Sequence, residues 1–137
     1  MNNPKNAVVS DAAPAAIGPY SQAVQSDRWL FLSGQIGLDP ATGNLVAGGV
    51  REQTEQTLKN LEAVLSAGGS DLAGVLKTTV YMTDLAQFPV MNEVYAKRFP
   101  PPFPARATLQ VSALPKGALI EIDAVALKNT EGEAEAG

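Results

Sequence analysis

The sequence contains no cysteine and no histidine in 137 residues. Without cysteine, disulfides, thiolate nucleophiles, zinc ribbons and iron–sulfur clusters are excluded. Without histidine, the chain lacks the commonest metal ligand and the commonest general base, and it cannot build a Ser-His-Asp triad. Any chemistry must use carboxylates, Tyr, Ser, Thr, Lys, Arg or backbone groups. Carboxylate-only Mg or Ca sites stay possible in principle, but no acidic loop with ligand-like spacing occurs, so we expect no metal and no cofactor.

Long apolar runs and basic clusters are missing as well. No apolar run approaches the ~20 residues that span a bilayer, and the first six residues lack the apolar stretch of a signal peptide. We therefore expect a cytoplasmic protein without membrane contact. Lys and Arg number 10 against 14 Asp and Glu, and no basic cluster occurs. Nucleic acid is consequently not expected as a partner.

Length and composition predict one folded domain. Apolar residues make up 45% of the chain and charged residues 18%, which is ordinary globular composition at a length that buries one core. Residues 1–6 are predicted to form a flexible arm, and residues 7–128 a single domain. Residues 129–137 are small, polar and acidic, so we predict a disordered tail.

Two segments have the features of helices. Between Val50 and Ala67 the large apolar residues recur with a period near 3.6, at Leu58, Leu61, Val64 and Leu65. A second helix is predicted from Pro89 to Phe99, because proline suits a first helical turn and the prolines at 100–102 prevent continuation.

The remaining segments alternate as strands do. The predicted strands are Tyr20–Gln25, Trp29–Ile36, Val75–Met82, Ala105–Ser112 and Leu119–Leu127. The link Leu114–Gly117 is short enough to join the last two as a hairpin. The order β-β-α-β-α-β-β predicts an α+β domain with one mixed sheet and two helices on one face.

The predicted sheet has large apolar groups on both faces. In the second strand, Trp29 and Phe31 alternate with Leu30 and Leu32. Two helices can cover only one face, so the other face needs a partner. We expect self-association.

Arg106 and Glu121 are the candidates for chemistry. Arg106 lies in a predicted strand among small and apolar residues, where a fixed guanidinium suits bidentate binding of a carboxylate. Glu121 lies between Ile120 and Ile122, an unusual place for an acid. If the last two strands form a hairpin, Arg106 and Thr108 share a face with Glu121. This arrangement fits a pocket and an internal ion pair equally well.

Six short motifs stand in the order found in the Rid family of enamine/imine deaminases, and the resemblance covers about residues 8–128. The motifs occupy residues 16–23, 32–36, 77–81, 92–95, 104–106 and 120–122, and the strand Pro104-Ala105-Arg106 followed by Leu114-Pro115-Lys116 and Ile120-Glu121-Ile122 is the most specific part.

The resemblance implies a chorismate-mutase-like fold and a homotrimer with an inner β-barrel and clefts between subunits. It also implies hydrolysis of 2-iminobutanoate and 2-iminopropanoate, or their enamine tautomers, to 2-oxo acids and ammonia. Arg106 would bind the substrate carboxylate, and Glu121 would hold or activate water. Other cleft residues implied by position are Tyr20, Ser33, Gly34, Asn92 and Thr108, the last where some members carry Cys.

Such an activity suits the composition, because an imine is already electrophilic and its hydrolysis needs orientation, water and modest proton transfer.

Three alternatives stay open. Some relatives are described as endoribonucleases or translation inhibitors, but the excess of acidic over basic residues argues against that function for this chain. The cleft could instead bind a small ligand without turnover, as in a chaperone-like protein. A larger enamine such as 2-aminomuconate is the third possibility.

Overall fold

The structure, a computed structural model, describes residues 4–129. Its elements in chain order are β1 (Asn6–Val8), β2 (Ala23–Ser26), β3 (Trp29–Gln35), α1 (Val50–Ala67), β4 (Val75–Met82), α2 (Phe88–Arg98), β5 (Ala105–Gln110) and β6 (Ile120–Leu127). Both predicted helices and all five predicted strands are present. The three-residue strand β1 was not predicted, and β2 begins three residues after the predicted start at Tyr20.

Parts of the predicted arm (1–6) and tail (129–137) lie outside the described residues. Asn6, the last residue of the predicted arm, is paired with Gln25 in the β1–β2 ladder. Asn129, the first residue of the predicted tail, donates its backbone N–H to the Gly69 carbonyl at 2.8 Å. The described chain is therefore bonded to the domain at both boundaries.

The bounds of α1 follow from the glycines that flank it. The Gly49 N–H donates to Glu52 Oε1 at 2.9 Å, and this backbone hydrogen bond lowers the pKa of the exposed Glu52 carboxyl. At the other end the Gly68 N–H bonds to the Val64 carbonyl, and Gly69 takes a φ of 78° that favours glycine. The predicted bounds of α1 are confirmed.

The sheet is mixed, with strand order β1-β2-β3-β6-β4-β5. Every neighbouring pair is antiparallel except β4 and β5, which are parallel. The predicted hairpin between the last two strands is wrong, because β6 lies between β3 and β4 while β5 pairs with the other edge of β4. The helix α2 connects β4 to β5 as a crossover, which is the connection that parallel neighbours require.

The core lies between the sheet and the helices. Strand β6 alternates between buried and half-buried residues along its whole length, and its inward residues Ile120 and Ile122 are fully buried with Leu58 and Leu61 of α1 in one cluster. No helix within residues 4–129 is long and apolar enough to cross a membrane.

The opposite face of the sheet, called here the open face, carries large apolar side chains that the described residues leave uncovered. Trp29, Phe31 and Leu109 keep 44%, 47% and 40% of their surface exposed. The prediction that the helices cover only one face is therefore confirmed.

Candidate active site

Arg106 lies on the helix-covered face of the sheet. Its partner in the parallel β4–β5 ladder is Thr78, which is fully buried. The guanidinium carbon of Arg106 lies 4.8 Å from the ring centroid of Tyr95 and 5.3 Å from that of Phe88, both in α2. Within residues 4–129 the ion pairs are Arg51–Glu93 and Arg98–Glu62, and no carboxylate pairs with Arg106.

An open depression of about 390 Å³ adjoins the guanidinium. Residues of α2 spaced i, i+3 and i+4 form one wall, and the proline-rich segment before β5 forms the other; the lining residues are Asn92, Tyr95, Ala96, Phe103, Pro104 and Arg106. The spacing follows from helix geometry, which places such residues on one side. The predicted residues Asn92 and Arg106 therefore share one cavity.

Thr108 follows Arg106 by two residues on the same side of β5. Its Oγ1 is shielded from solvent and has no hydrogen-bond partner among the described residues. An orphaned buried hydroxyl is uncommon, because its desolvation costs about 1–3 kcal/mol. Thr108 is close to the Arg106 cavity in sequence but is not part of its lining.

Glu121 lies on the open face, half-buried, with Tyr81 as its partner in the β4–β6 ladder. Burial raises the pKa of its carboxyl, and the negative charge of Asp123 raises this pKa further. The Tyr81 hydroxyl donates to Asp123 Oδ2 at 3.1 Å. Among residues 4–129 no group of three or more acidic residues is placed to hold a metal ion.

A β-bulge in β3 brings Gly34 against Glu121. The register shifts between Leu32 and Gln35, and a Cβ at position 34 would collide with the Glu121 carboxylate. Bulges often re-aim side chains beside functional sites. Glycine at position 34 therefore leaves the space that the carboxylate occupies.

A second depression, of about 470 Å³, surrounds this carboxylate. It is lined by the segment before β2, the bulge and the link before β6, namely Pro14, Ala15, Ile17, Tyr20, Gln22, Gly34, Gln35, Ile36, Leu38, Pro115, Lys116 and Glu121. Of the predicted residues, Tyr20, Gly34 and Glu121 meet here. Ser33 is not part of the lining, because its Oγ donates to the Ser21 carbonyl at 2.6 Å and supports the chain instead.

The expectation that Arg106 and Glu121 share a face is wrong. Arg106, its partner Thr78 and the β6 residue opposite Thr78, Ala124, lie on the helix-covered face, whereas Glu121 lies on the other. The error follows from the predicted hairpin, since inserting β4 between the two strands changes which residues are neighbours. One chain thus carries two separate candidate groups, called here the Arg106 half-site (Asn92, Arg106 and the nearby Thr108) and the Glu121 half-site (Tyr20, Gly34 and Glu121).

Sequence reasoning missed the aromatic residues at the Arg106 half-site. Phe88 and Tyr95 approach the guanidinium, and Phe103 lines its cavity while remaining 53% exposed. The available signal was the spacing of Phe88, Asn92 and Tyr95 at i, i+4 and i+7, which places them on one side of a helix. Nothing in the sequence indicated that Arg106 faces that side.

Known proteins are similar to this chain over most of its length. A family model described as Endoribonuclease L-PSP matches residues 10–128. A Homo sapiens protein named 2-iminobutanoate/2-iminopropanoate deaminase is 55% identical over 122 residues, covering 88% of this chain and 89% of the relative.

Solved structures agree as well. RidA from an Antarctic Psychrobacter is 43% identical with a TM-score of 0.86, over 89% of this chain and 98% of that one. Escherichia coli TdcF with bound serine is 36% identical with a TM-score of 0.84, over 90% and 99%. The chain belongs to the Rid family, which the Endoribonuclease L-PSP model describes.

Proposed function

We propose that this protein is a 2-iminobutanoate/2-iminopropanoate deaminase, which hydrolyses reactive 2-imino acids to 2-oxo acids and ammonia. The observation that carries the proposal is Arg106, whose guanidinium adjoins an open cavity without any carboxylate partner among residues 4–129. A planar guanidinium that adjoins a cavity and has no carboxylate partner among the described residues is suited to bind the carboxylate of a small acid. The names of relatives at about half identity support the same substrates.

The reaction needs few groups. Arg106 holds the substrate carboxylate and so orients the adjacent C=N carbon. Glu121 accepts a proton from water as the water oxygen bonds to that carbon and the C=N π pair moves to nitrogen. The nitrogen, once protonated, leaves as ammonia while the hydroxyl loses its proton and C=O forms. A carboxyl whose pKa is raised by burial is suited to take and return a proton nearer to neutral pH.

A small imino acid cannot contact both half-sites of one chain through the sheet. We infer that the Arg106 half-site of one copy faces the Glu121 half-site of a second copy, in a homotrimer whose open faces form an inner β-barrel of the chorismate-mutase-like kind. Tyr20, Gly34 and Asn92 would line the cleft, with Ser33 behind the lining. The hydroxyl of Thr108, orphaned in the single chain, would complete it.

Mixing two inactive variants tests this arrangement. Arg106→Ala and Glu121→Gln should each lose most deaminase activity while remaining folded, because each removes one half of every cleft. When the two are unfolded together and refolded at equal concentration, random assembly leaves about a quarter of the clefts with both native residues. Ammonia release from 2-iminobutanoate should therefore recover to about a quarter of the wild-type rate.

The outcomes separate the alternatives. No recovery, with each single variant folded and oligomeric, would place both residues in the same chain's site and contradict the shared cleft. If the wild type bound a small acid through Arg106 but released no ammonia, the protein would be a ligand-binding protein. The serine bound in Escherichia coli TdcF is a small acid of this kind. We also propose a cytoplasmic location. This part of the proposal rests only on the sequence, and cell fractionation tests it.

A further inference from the structure

The guanidinium of Arg106 lies over two aromatic rings of α2. Phe88 and Tyr95 are seven residues apart in this helix, which corresponds to roughly 10 Å along its axis. The guanidinium carbon lies 5.3 Å from the Phe88 centroid and 4.8 Å from the Tyr95 centroid, over both rings. The guanidinium of Arg106 therefore contacts the faces of two rings of the same helix.

We propose that Phe88 and Tyr95 are positioning residues that hold the Arg106 guanidinium through its charge and thereby set the plane in which a carboxylate binds. The inference rests on the proposed function only in taking a small carboxylate as the ligand of Arg106. Both rings lie within the ~6 Å at which a cation is attracted to an aromatic face. Because the guanidinium contacts the ring faces and pairs with no carboxylate among residues 4–129, its N–H groups can donate to a bound carboxylate.

The Tyr95 ring is itself fixed. Tyr95 is 4% exposed, and its hydroxyl forms a 2.7 Å hydrogen bond with the Thr78 hydroxyl. Thr78 is the residue that pairs with Arg106 across the β4–β5 ladder. The ring centroid of Phe99, the residue that follows α2, lies 4.4 Å from that of Tyr95. Tyr95 therefore connects α2 to the backbone position from which Arg106 projects.

The Phe88 ring is the less buried of the two and can be changed with less damage. It begins α2 and lies half-buried at the margin of the core. Leucine at this position keeps an apolar side chain but has no π face, whereas tyrosine keeps the face. The pair Phe88→Leu and Phe88→Tyr therefore separates attraction to the cation from apolar contact.

The experiment measures binding and turnover on the same oligomeric preparations. Binding of 2-oxobutanoate is measured by titration calorimetry, and KM and kcat are measured with 2-iminobutanoate generated in the assay from the amino acid by an oxidase. We expect Phe88→Leu to raise both Kd and KM by roughly 3- to 20-fold, with a smaller change in kcat. Phe88→Tyr should stay within about twofold of the wild type, because a ring face is retained.

Two further variants control for a merely structural role. Val94→Ala removes buried volume from the same helix at a residue that does not line the Arg106 cavity, so it should lower Tm and leave Kd unchanged. Tyr95→Phe keeps the ring and loses only the bond to Thr78, so its rise in Kd should be smaller than that of Phe88→Leu. A folded Phe88→Leu protein with the Kd and KM of the wild type would overturn the inference.

The inference and the proposed function fail in different ways. If the wild type released no ammonia, yet Phe88→Leu weakened 2-oxobutanoate binding and Phe88→Tyr did not, the positioning role would stand without the deaminase. If ammonia release were normal and equal in all three proteins, the deaminase would stand and the positioning role would be wrong.

Discussion

At the scale of single residues, burial is the first cause of the raised pKa of the Glu121 carboxyl, and the charge of Asp123 on the open face is the second. Asp123 lies two residues along the same strand, and Tyr81 lies opposite on β4 and donates to Asp123. Burial raises the pKa of Tyr81 and the charge of Asp123 raises it further, so Tyr81 stays a neutral donor. Lys116 lines the same cavity. These groups surround the carboxyl that we assign to water activation.

The pH dependence of turnover tests that assignment. The raised pKa of Glu121 means that this carboxyl is still protonated where an ordinary Glu is ionised, so activity should fall on acidification at a higher pH than for an ordinary Glu. Asp123→Asn removes one cause of the raised pKa and should shift the acid limb of kcat/KM to lower pH. Glu55→Gln, an exposed change on α1, should leave the profile in place. If the acid limb of kcat/KM did not shift in Asp123→Asn, Asp123 would not be a cause of the raised pKa of Glu121.

Gly34 supplies a second test at this scale. Gly34→Ala forces the Glu121 carboxylate to move, since the new Cβ would occupy its position. The colliding atoms are the end of a flexible side chain, so Tm should change little, whereas a displaced base should lower kcat roughly 10- to 100-fold. Gly49→Ala is the control, because nothing lies within 4 Å of a Cβ there. Normal kcat in Gly34→Ala would show that the position of Glu121 tolerates displacement.

At the scale of elements, α1 anchors the chain that borders the Glu121 half-site. Asn60 is 1% exposed and donates its Nδ2 to the carbonyls of Ile36 and Leu38 at 3.0 and 2.9 Å. Both of these residues line the Glu121 cavity. The buried amide of Asn60 thus restrains the segment at 36–38, which borders the Glu121 half-site.

Removing this amide should affect both stability and the site. Asn60→Ala removes the side-chain hydrogen bonds to two carbonyls, of which that of Ile36 keeps the Leu38 N–H as a donor, and should lower the free energy of unfolding by about 2–3 kcal/mol. It should also raise KM, because the segment at 36–38 loses its restraint. Gln56→Ala removes only the Nε2–H that Asn60 Oδ1 accepts and should cost less than about 1 kcal/mol. Denaturant unfolding and steady-state kinetics measure the two effects, and equal losses in both variants would contradict the anchoring role.

At the scale of the whole molecule, the open face needs a cover. Phe31 pairs with Val125 and Trp29 with Leu127, so apolar side chains run along the face beside the polar group of Tyr81, Glu121 and Asp123. Exposed apolar surface of this extent is characteristic of an interface. A second and third copy of the same chain would cover it and would bring the half-sites together.

Light scattering tests the assembly directly, and we expect the mass of three chains. Phe31→Glu places a charge on the open face and should reduce both the assembly and the deaminase activity, since each cleft that we propose is formed by two copies. Leu85→Glu changes a residue that is also exposed (38%) but lies in the turn before α2, and it should leave both intact. A monomeric wild type with full activity would contradict the shared cleft.

The sequence by itself determined both helices, five of the six strands within residues 4–129 and the principal candidate residues. Glycines and prolines mark the ends of α1 and α2, and apolar periodicity distinguishes helix from strand; both signals are local. The absence of His and Cys restricted the chemistry, and ordered motifs identified the family. Arg106 and Glu121 stood out because charged residues are rare inside strands.

Only the tertiary structure decided which residues are neighbours. The segment between β5 and β6 is short enough for a hairpin, yet β6 pairs with β3 and β4 because the helix α2 makes β5 a parallel neighbour of β4. Strand order depends on contacts between residues far apart in the chain, and no local pattern contains it. For that reason the sequence could identify Arg106 and Glu121 as candidates but could not show that they lie on opposite faces, or that the Arg106 guanidinium lies over the rings of Phe88 and Tyr95.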